Sequence, residues 1–414
     1  RAPVVVAQIW YKVGAIDEPA GLTGLSHVLE HVMFKGTKNY KMGEFSKIIA
    51  KQGGRENAFT GNDYTAYFQQ LEKSRLEISF ELEADRMQNL LINEDEAKKE
   101  IRVVMEERRL RTDDKPESLT YEKFNATAYQ VHPYKNPVIG WMKDLESIKV
   151  QDLEAWYKRW YAPNNATLVV VGDVNPKEVF ALAKKYYGKV PRVKVSPQKI
   201  KPEPEQKKMR SSEVSAPAKV PYLIFGYHVP VIDGSKGQWQ PYALSVLAGV
   251  LDGGNSSRLT RDLIRGSKVA ASASAGYSMY SRGPGMFLFD GNPANNKTIT
   301  ELEKAIHDQI DQVKNELVTD VELKRVKAQV LAGDIFSRDS VFYQAMRIGT
   351  LETIGLKHTL LDDYVKNIQE VTAEQVRQVA KKYFYEANMT RTELKPTKIT
   401  SGRPNQSGGP NVSN

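Results

Sequence analysis

The chain has 414 residues, 41% of them hydrophobic, a formal net charge of +9 and no cysteine. This is enough apolar material for more than one packed core; it excludes a disulfide framework and thiolate metal sites, and no apolar run reaches the roughly 18 residues that a membrane span needs. The positive charge does not point to nucleic acid, because along stretches such as 94–112 Lys and Arg alternate with Glu and Asp as on a solvated face, and no basic stripe is interleaved with aromatic residues.

Arg1-Ala-Pro-Val-Val-Val6 enters a strand pattern at once, so any targeting peptide is expected outside this sequence. Val4–Val13 reads as a strand. Residues 25–34, mostly apolar and without Gly or Pro, then read as a short buried helix. This helix carries His27, Glu30 and His31. At about 100° per residue, His31 lies about 40° round from His27 and Glu30 about 60° round on the other side, so all three project from one arc. Two imidazoles spaced i and i+4 can grip one Zn²⁺, and a carboxylate beside them can act on water there. The order is H-x-x-E-H, the inverse of H-E-x-x-H.

Met42–Gln52 reads as a helix ended by Gly53-Gly54. Residues 55–60 and 64–71 read as a hairpin turning at Gly61-Asn62-Asp63. If the first of these strands is a sheet edge, an extended peptide can add to it, with Asn57 and Ala58 facing the scissile bond. Helices follow at 74–91 and from an Asn93 N-cap to about 112. In the second of these, Glu100 and Glu107 share a face two turns apart, with Val103 and Val104 between them. Two carboxylates on a partly apolar face are costly unless paired or bound to a cation; Glu107 is the expected third metal ligand, against the reading of a surface glutamate on a charged helix. Glu106 shares its face with Lys99, Arg102 and Arg109 and is set aside as an ordinary surface residue. Helices at 118–130 and 150–161 and a strand at Ala166–Val171 complete this part.

Between 191 and 221, six prolines fall among Lys, Glu and Ser, the composition of an interdomain linker. A second strand-then-helix pattern starts at Val220–His228. The chain also repeats itself: 26–32 lies over 244–250, 96–105 over 322–331 and 158–167 over 381–390, at offsets of 218, 226 and 223. These readings predict an α+β protein of two homologous domains, each a mostly antiparallel sheet covered by helices. The expected boundaries are 1–195 for a zinc-binding catalytic domain, 196–219 for the linker, 220–399 for a non-catalytic copy and 400–414 for a disordered tail. In the copy, Ser245, Ala248 and Gly249 replace His27, Glu30 and His31, and Val326 and Gly333 replace Glu100 and Glu107.

His27-x-x-Glu30-His31 with Glu100 and Glu107 downstream resembles the pitrilysin family of inverzincin zinc peptidases, which includes insulin-degrading enzyme and the mitochondrial processing peptidase. The resemblance extends to Gly53-Gly54-x-x-Asn57-Ala58-Phe59-Thr60, Tyr64, Tyr67, His132-Pro133-Tyr134 and Asn255-Ser-Ser-Arg258-Leu259. It implies one Zn²⁺ per chain on His27, His31 and Glu107, Glu30 as general base, Glu100 as an acid behind the ligands, and Asn57, Ala58, Phe59 and Arg265 at the substrate. It also implies the small two-domain branch, whose members pair into a clam-like chamber and cleave unfolded or small peptides. One departure stands out: active members carry an Arg and, seven residues later, a Tyr, whereas here Arg265 is followed by Ser272. The chain is therefore expected to pair with a homologous subunit that supplies the Arg/Tyr pair, or else to act as a homodimer or monomer in which Tyr277 or Tyr280 takes over. A catalytic subunit of a mitochondrial processing peptidase is the alternative of the same class; a non-catalytic structural homologue and a zinc-storing or peptide-binding module without turnover are the alternatives of different classes. Lack of cysteine and the small-branch resemblance suit a bacterial periplasmic protein, with the mitochondrial matrix or bacterial cytoplasm as alternatives.

Overall fold

A computed structural model describes residues 3–196 and 199–398; the tail expected at 400–414 lies outside the described residues. The first half contains β1 (Val4–Tyr11), α1 (Leu25–Val32), α2 (Glu44–Lys51), β2 (Arg55–Thr60), β3 (Thr65–Glu72), α3 (Leu76–Asn89), α4 (Glu94–Arg108), α5 (Pro116–Ala128), α6 (Met142–Ser147), α7 (Val150–Trp160), β4 (Ala166–Gly172) and α8 (Pro176–Tyr186). The second contains β5 (Arg210–Pro217), β6 (Tyr222–Val229), α9 (Gln240–Asp252), β7 (Ala270–Tyr277), β8 (Gly285–Pro293), α10 (Ile299–Asn315), α11 (Asp320–Arg338), α12 (Val341–Ile354), α13 (Leu360–Glu370), α14 (Ala373–Tyr383) and β9 (Met389–Thr397).

The sheets run β2-β3-β1-β4 and β5-β9-β6-β8-β7. Replacing β1, β2, β3 and β4 by β6, β7, β8 and β9 turns the first order into β7-β8-β6-β9, which is the second sheet read from its other end without β5, so the sequence repeat is a repeat of topology. All described pairings are antiparallel except β5 with β9. That exception corrects the linker expected at 196–219, which contains β5. Val214 and Ala216 are buried beside Phe124, Ala128 and Leu394, while the alternate residues are Ser and Glu. An edge strand of that composition, closed by Pro217, reads as linker until its partner is known.

Each half also lends the other a helix. Phe124 and Ala128 of α5 pack with Tyr222, Ile224 and Leu394 of the second sheet. Ala345 of α12 packs with Val6, Trp10, Ala66 and Val169 of the first. Gly349 allows this approach, since a Cβ there would sit 2.1 Å from the Trp10 ring. Strand β1 is consequently covered on both faces: Val5, Ala7, Ile9 and Tyr11 meet their own helices while Val6 and Trp10 meet α12. This accounts for its nearly unbroken apolar run.

Candidate active site

Helix α1 starts at Gly24, which has φ of +87° and no side chain with which to cap the helix. A Cβ at this position would meet Ile139 O at 2.6 Å, so the close approach and the left-handed backbone both require glycine. The cap comes from outside: Glu18 accepts from Gly24 N and Ser26 N, each at 2.7 Å. Burial pushes the Glu18 carboxyl up to about 8, against these two backbone donors. Leu25, Val28, Leu29 and Val32 are buried, which leaves His27, Glu30 and His31 on the remaining arc.

Helix α4 faces α1. Asn93 caps it by accepting from Asp95 N and Glu96 N, and Ala97, Ile101 and Val104 are buried. Val103, expected on the apolar face, is instead 47% exposed. Glu106 is exposed and pairs with Arg109 at 2.8 Å, as an ordinary surface residue does. The chain continues past Arg108 as a π-helical turn, Arg109–Asp113, rather than as α-helix to 112. Arg108 is anchored by Glu122 at 2.7 and 2.8 Å and by Gly140 O at 2.9 Å.

These two helices bring His27, His31 and Glu107 together, with one ligand atom from each lying within 4.8 Å of the others. Glu107 Oε2 is 3.4 Å from His31 Nε2 and 3.8 Å from His27 Nε2. Both separations exceed a good hydrogen bond, and two nitrogens and an oxygen converging at this spacing suit a cation between them. Burial, with help from His31 and Arg111, holds the His27 imidazole down to about 3, so it is a neutral ligand at ordinary pH. His31 Nδ1 lies 3.3 Å from Glu100 Oε2 and must donate to it, because a carboxylate only accepts. That fixes the tautomer and turns the Nε2 lone pair towards Glu107. Lys35 Nζ holds the other Glu100 oxygen at 2.8 Å, and Arg111 holds Glu107 Oε1 at 2.6 Å. The residues present therefore fit one zinc ion with three protein ligands and an open position.

Glu30 is beside this set and accepts from Thr60 Oγ on β2. Burial raises its carboxyl above the usual range, opposed by the Thr60 hydrogen bond and by His31. Among the described residues, strand β2 is an edge and pairs with β3 alone. Side chains alternate along a strand, which corrects two expectations. Ala58 and Thr60 lie on the α1 face, but Asn57 and Phe59 lie on the other. The Phe59 ring packs against Trp10 and Tyr64, beneath α12, and is core rather than substrate-facing. Asn57 is exposed and its Oδ1 accepts from Ala58 N at 2.9 Å.

The second half does not bring its expected residues to this cluster. Arg265 is exposed in the turn Leu259–Gly266 and forms no ion pair among the described residues. Ser272 Oγ lies 2.7 Å from Asn292 Oδ1. Tyr277 donates to Pro230 O at 2.6 Å, and Tyr280 packs into the second core. Both tyrosines are committed to structure. Sequence reasoning missed Glu18, Lys35, Thr60 and Arg111. For Glu18 the signal was a glycine N-cap that needs an outside acceptor; for Arg111 it was the i,i+4 spacing from Glu107.

Among known proteins, residues 1–141 match the sequence model described as insulinase, peptidase family M16, and residues 147–330 match the peptidase M16 inactive domain. The boundary between the models falls before α7 and β4, although β4 pairs with β1 in the first sheet. The zinc protease PqqE of Helicobacter pylori is 34% identical over 403 residues, covering 96% of this chain and 88% of that protein. A crystal structure of a protease from Helicobacter pylori superimposes with a TM-score of 0.91 at 32% identity, covering 96% of this chain and 95% of that one. The first half of the periplasmic protease PqqL from Escherichia coli shares the fold, with a TM-score of 0.77 at 20% identity over 95% of this chain and 87% of that one. With the family's own relatives matched along nearly its whole length, and with an H-x-x-E-H helix facing Glu107 on α4, the chain belongs to the M16, or insulinase, family of peptidases.

Proposed function

We propose that this chain is a zinc-dependent endopeptidase that hydrolyses unfolded or small peptides. The observation that carries the reading is the convergence of His27, His31 and Glu107 within 4.8 Å, with Glu30 beside them. When bound, Zn²⁺ supplies the Lewis acidity that makes water a nucleophile near neutral pH. The protein's own groups do the rest. Glu30, held by Thr60, takes the proton of the attacking water and returns it to the leaving amine. Glu100 and Arg111 orient His31 and Glu107. The open edge of β2 receives the peptide as an added strand, which gives affinity through backbone hydrogen bonds and demands little of the substrate's sequence.

The second half lacks a tyrosine at position 272, and Tyr277 and Tyr280 are occupied elsewhere. Donors aimed at a developing oxyanion are worth roughly 10²–10³ each. A homologous subunit that carries the Arg/Tyr pair supplies them, and a homodimer does not. A periplasmic setting suits a chain without cysteine; no helix among the described residues is long and apolar enough to cross a membrane, and the PqqL neighbour is named periplasmic.

The test is metal analysis together with cleavage of a quenched peptide, on the chain alone and with any co-purifying homologue. Glu30→Gln is expected to keep one zinc and lose turnover by at least about 10², and His31→Ala to lose the zinc. Near-normal kcat in Glu30→Gln defeats the assigned chemistry; full activity of the chain alone defeats the partner.

A further inference from the structure

The connection between β7 and β8, residues 278–284, belongs to the half without metal ligands, yet it is seated in the other half. Arg282 donates through its two terminal nitrogens to Asp17 Oδ2 and Oδ1 at 2.8 and 3.1 Å. Its backbone N–H donates to Asp63 Oδ2 at 3.1 Å. The other Asp63 oxygen accepts from Tyr134 OH at 2.6 Å, and the Tyr134 oxygen accepts from Gly283 N at 3.0 Å. The Asp17 and Arg282 side chains are 1% and 13% exposed, so the pair is inside the protein. A buried ion pair adds little net stability, because desolvation offsets attraction. What a two-pronged guanidinium does add is a fixed direction.

The two residues that Arg282 holds, Asp17 by its guanidinium and Asp63 by its backbone N–H and a longer contact of 3.5 Å from the guanidinium to the Asp63 carbonyl, are the ones that lead into the site. Asp17 ends the turn Ala15–Asp17, and its neighbour Glu18 gives both carboxylate oxygens to the start of α1. Asp63 lies in the turn after β2, three residues beyond Thr60, whose hydroxyl holds Glu30. The segment that caps the His27–His31 helix and the segment that steadies Glu30 are thus tied to a single residue of the second half.

We infer that Arg282 is a positioning residue for the metal site: by clamping Asp17 and Asp63 it sets the placement of α1 against β2, so the half that lost the ligands takes part in catalysis by holding the geometry of the half that kept them. The inference rests on the reading of His27, Glu30 and His31 given above. The alternative is a plain staple between the halves, which steadies the whole seam and no part of it in particular.

Hydrogen exchange on the full chain without added metal separates the two. In Arg282→Gln, peptides covering 24–32 and 55–64 are expected to exchange at least about tenfold faster, while peptides of α5 and α12, which carry the rest of the seam, stay as in wild type. With zinc loaded, kcat on a quenched peptide is expected to fall about tenfold or more with KM within about twofold, as for a misplaced catalytic group. Arg282→Lys keeps the charge but loses the fork, and supplies the same measurements if Arg282→Gln does not fold. Exchange that rises evenly along the seam, or that does not change, overturns the inference. A wild-type chain that binds no zinc overturns the proposed function instead, and leaves the exchange result to decide the clamp.

Discussion

His31 points its two ring nitrogens in different directions, Nδ1 to Glu100 and Nε2 to Glu107. Glu100 therefore decides which nitrogen keeps a lone pair for the metal. Glu100→Gln preserves shape but removes the charge that holds the Nδ1 proton and the Lys35 ammonium. Partners of this kind typically matter 10–100-fold, so zinc affinity measured by chelator competition is expected to fall by about that factor. A change within about twofold would reduce Glu100 to a salt bridge with Lys35. At this scale the sequence was informative wherever roles follow helical spacing: His27, Glu30 and His31 on α1, and Glu100 and Glu107 on α4, are on their expected faces. It was silent where the supporting group comes from another element, as with Glu18 and Thr60. Phe59 shows the opposite failure: its place in a family-like string suggested substrate, whereas the period of two along β2 turns its ring into the core beside Trp10.

Strand β2 is the element on which substrate docking depends. Ala58 N–H is taken by the side chain of Asn57 rather than by β3, so it points to the open edge, and Glu56 and Thr60 share its phase. Ala58→Pro removes this outward donor without breaking the ladder to β3, and proline is tolerated at an edge strand's solvent side. One backbone hydrogen bond is worth about 1 kcal/mol net, so KM is expected to rise on the order of fivefold with kcat little changed. Unchanged KM would show that peptide does not add to this edge. Other elements were less legible for a physical reason. Strand β5 contributes only Val214 and Ala216 to a core that α5 and β9 complete from far along the chain. The π-helical turn at Arg109–Asp113 continues a helical pattern whose hydrogen-bond register composition does not encode.

At the scale of the molecule, the duplicated topology was readable because three pairs of segments recur in order. The exchange of α5 and α12 was not, since an apolar helix face does not say which sheet will cover it. That exchange makes the seam part of both cores, and two histidines sit in it, His132 buried and His228 half-buried. His228 Nε2 is 3.0 Å from Ala128 O, and His132 packs between Tyr129 and Tyr134. Burial holds His132 down to about 4 and lowers His228 as well. His132 Nδ1 accepts from Tyr134 N at 3.2 Å, which requires the neutral ring. An unfolded histidine titrates near 6.5. Between that value and about 4, the unfolded chain binds the proton that folded His132 refuses, so stability falls as pH falls through this window and is complete above it. The slope from one such group is at most about 1.4 kcal/mol per pH unit. His132→Asn keeps a side-chain acceptor two residues before Tyr134 N, in the manner of an Asx turn, and removes the titration. Urea unfolding of the two proteins from pH 7 to pH 4 is therefore expected to give a shallower loss of stability in the variant, with the difference opening only below pH 6.5. Parallel curves would mean that His132 is protonated in the folded seam, and that its contact with Tyr134 N does not hold the ring neutral.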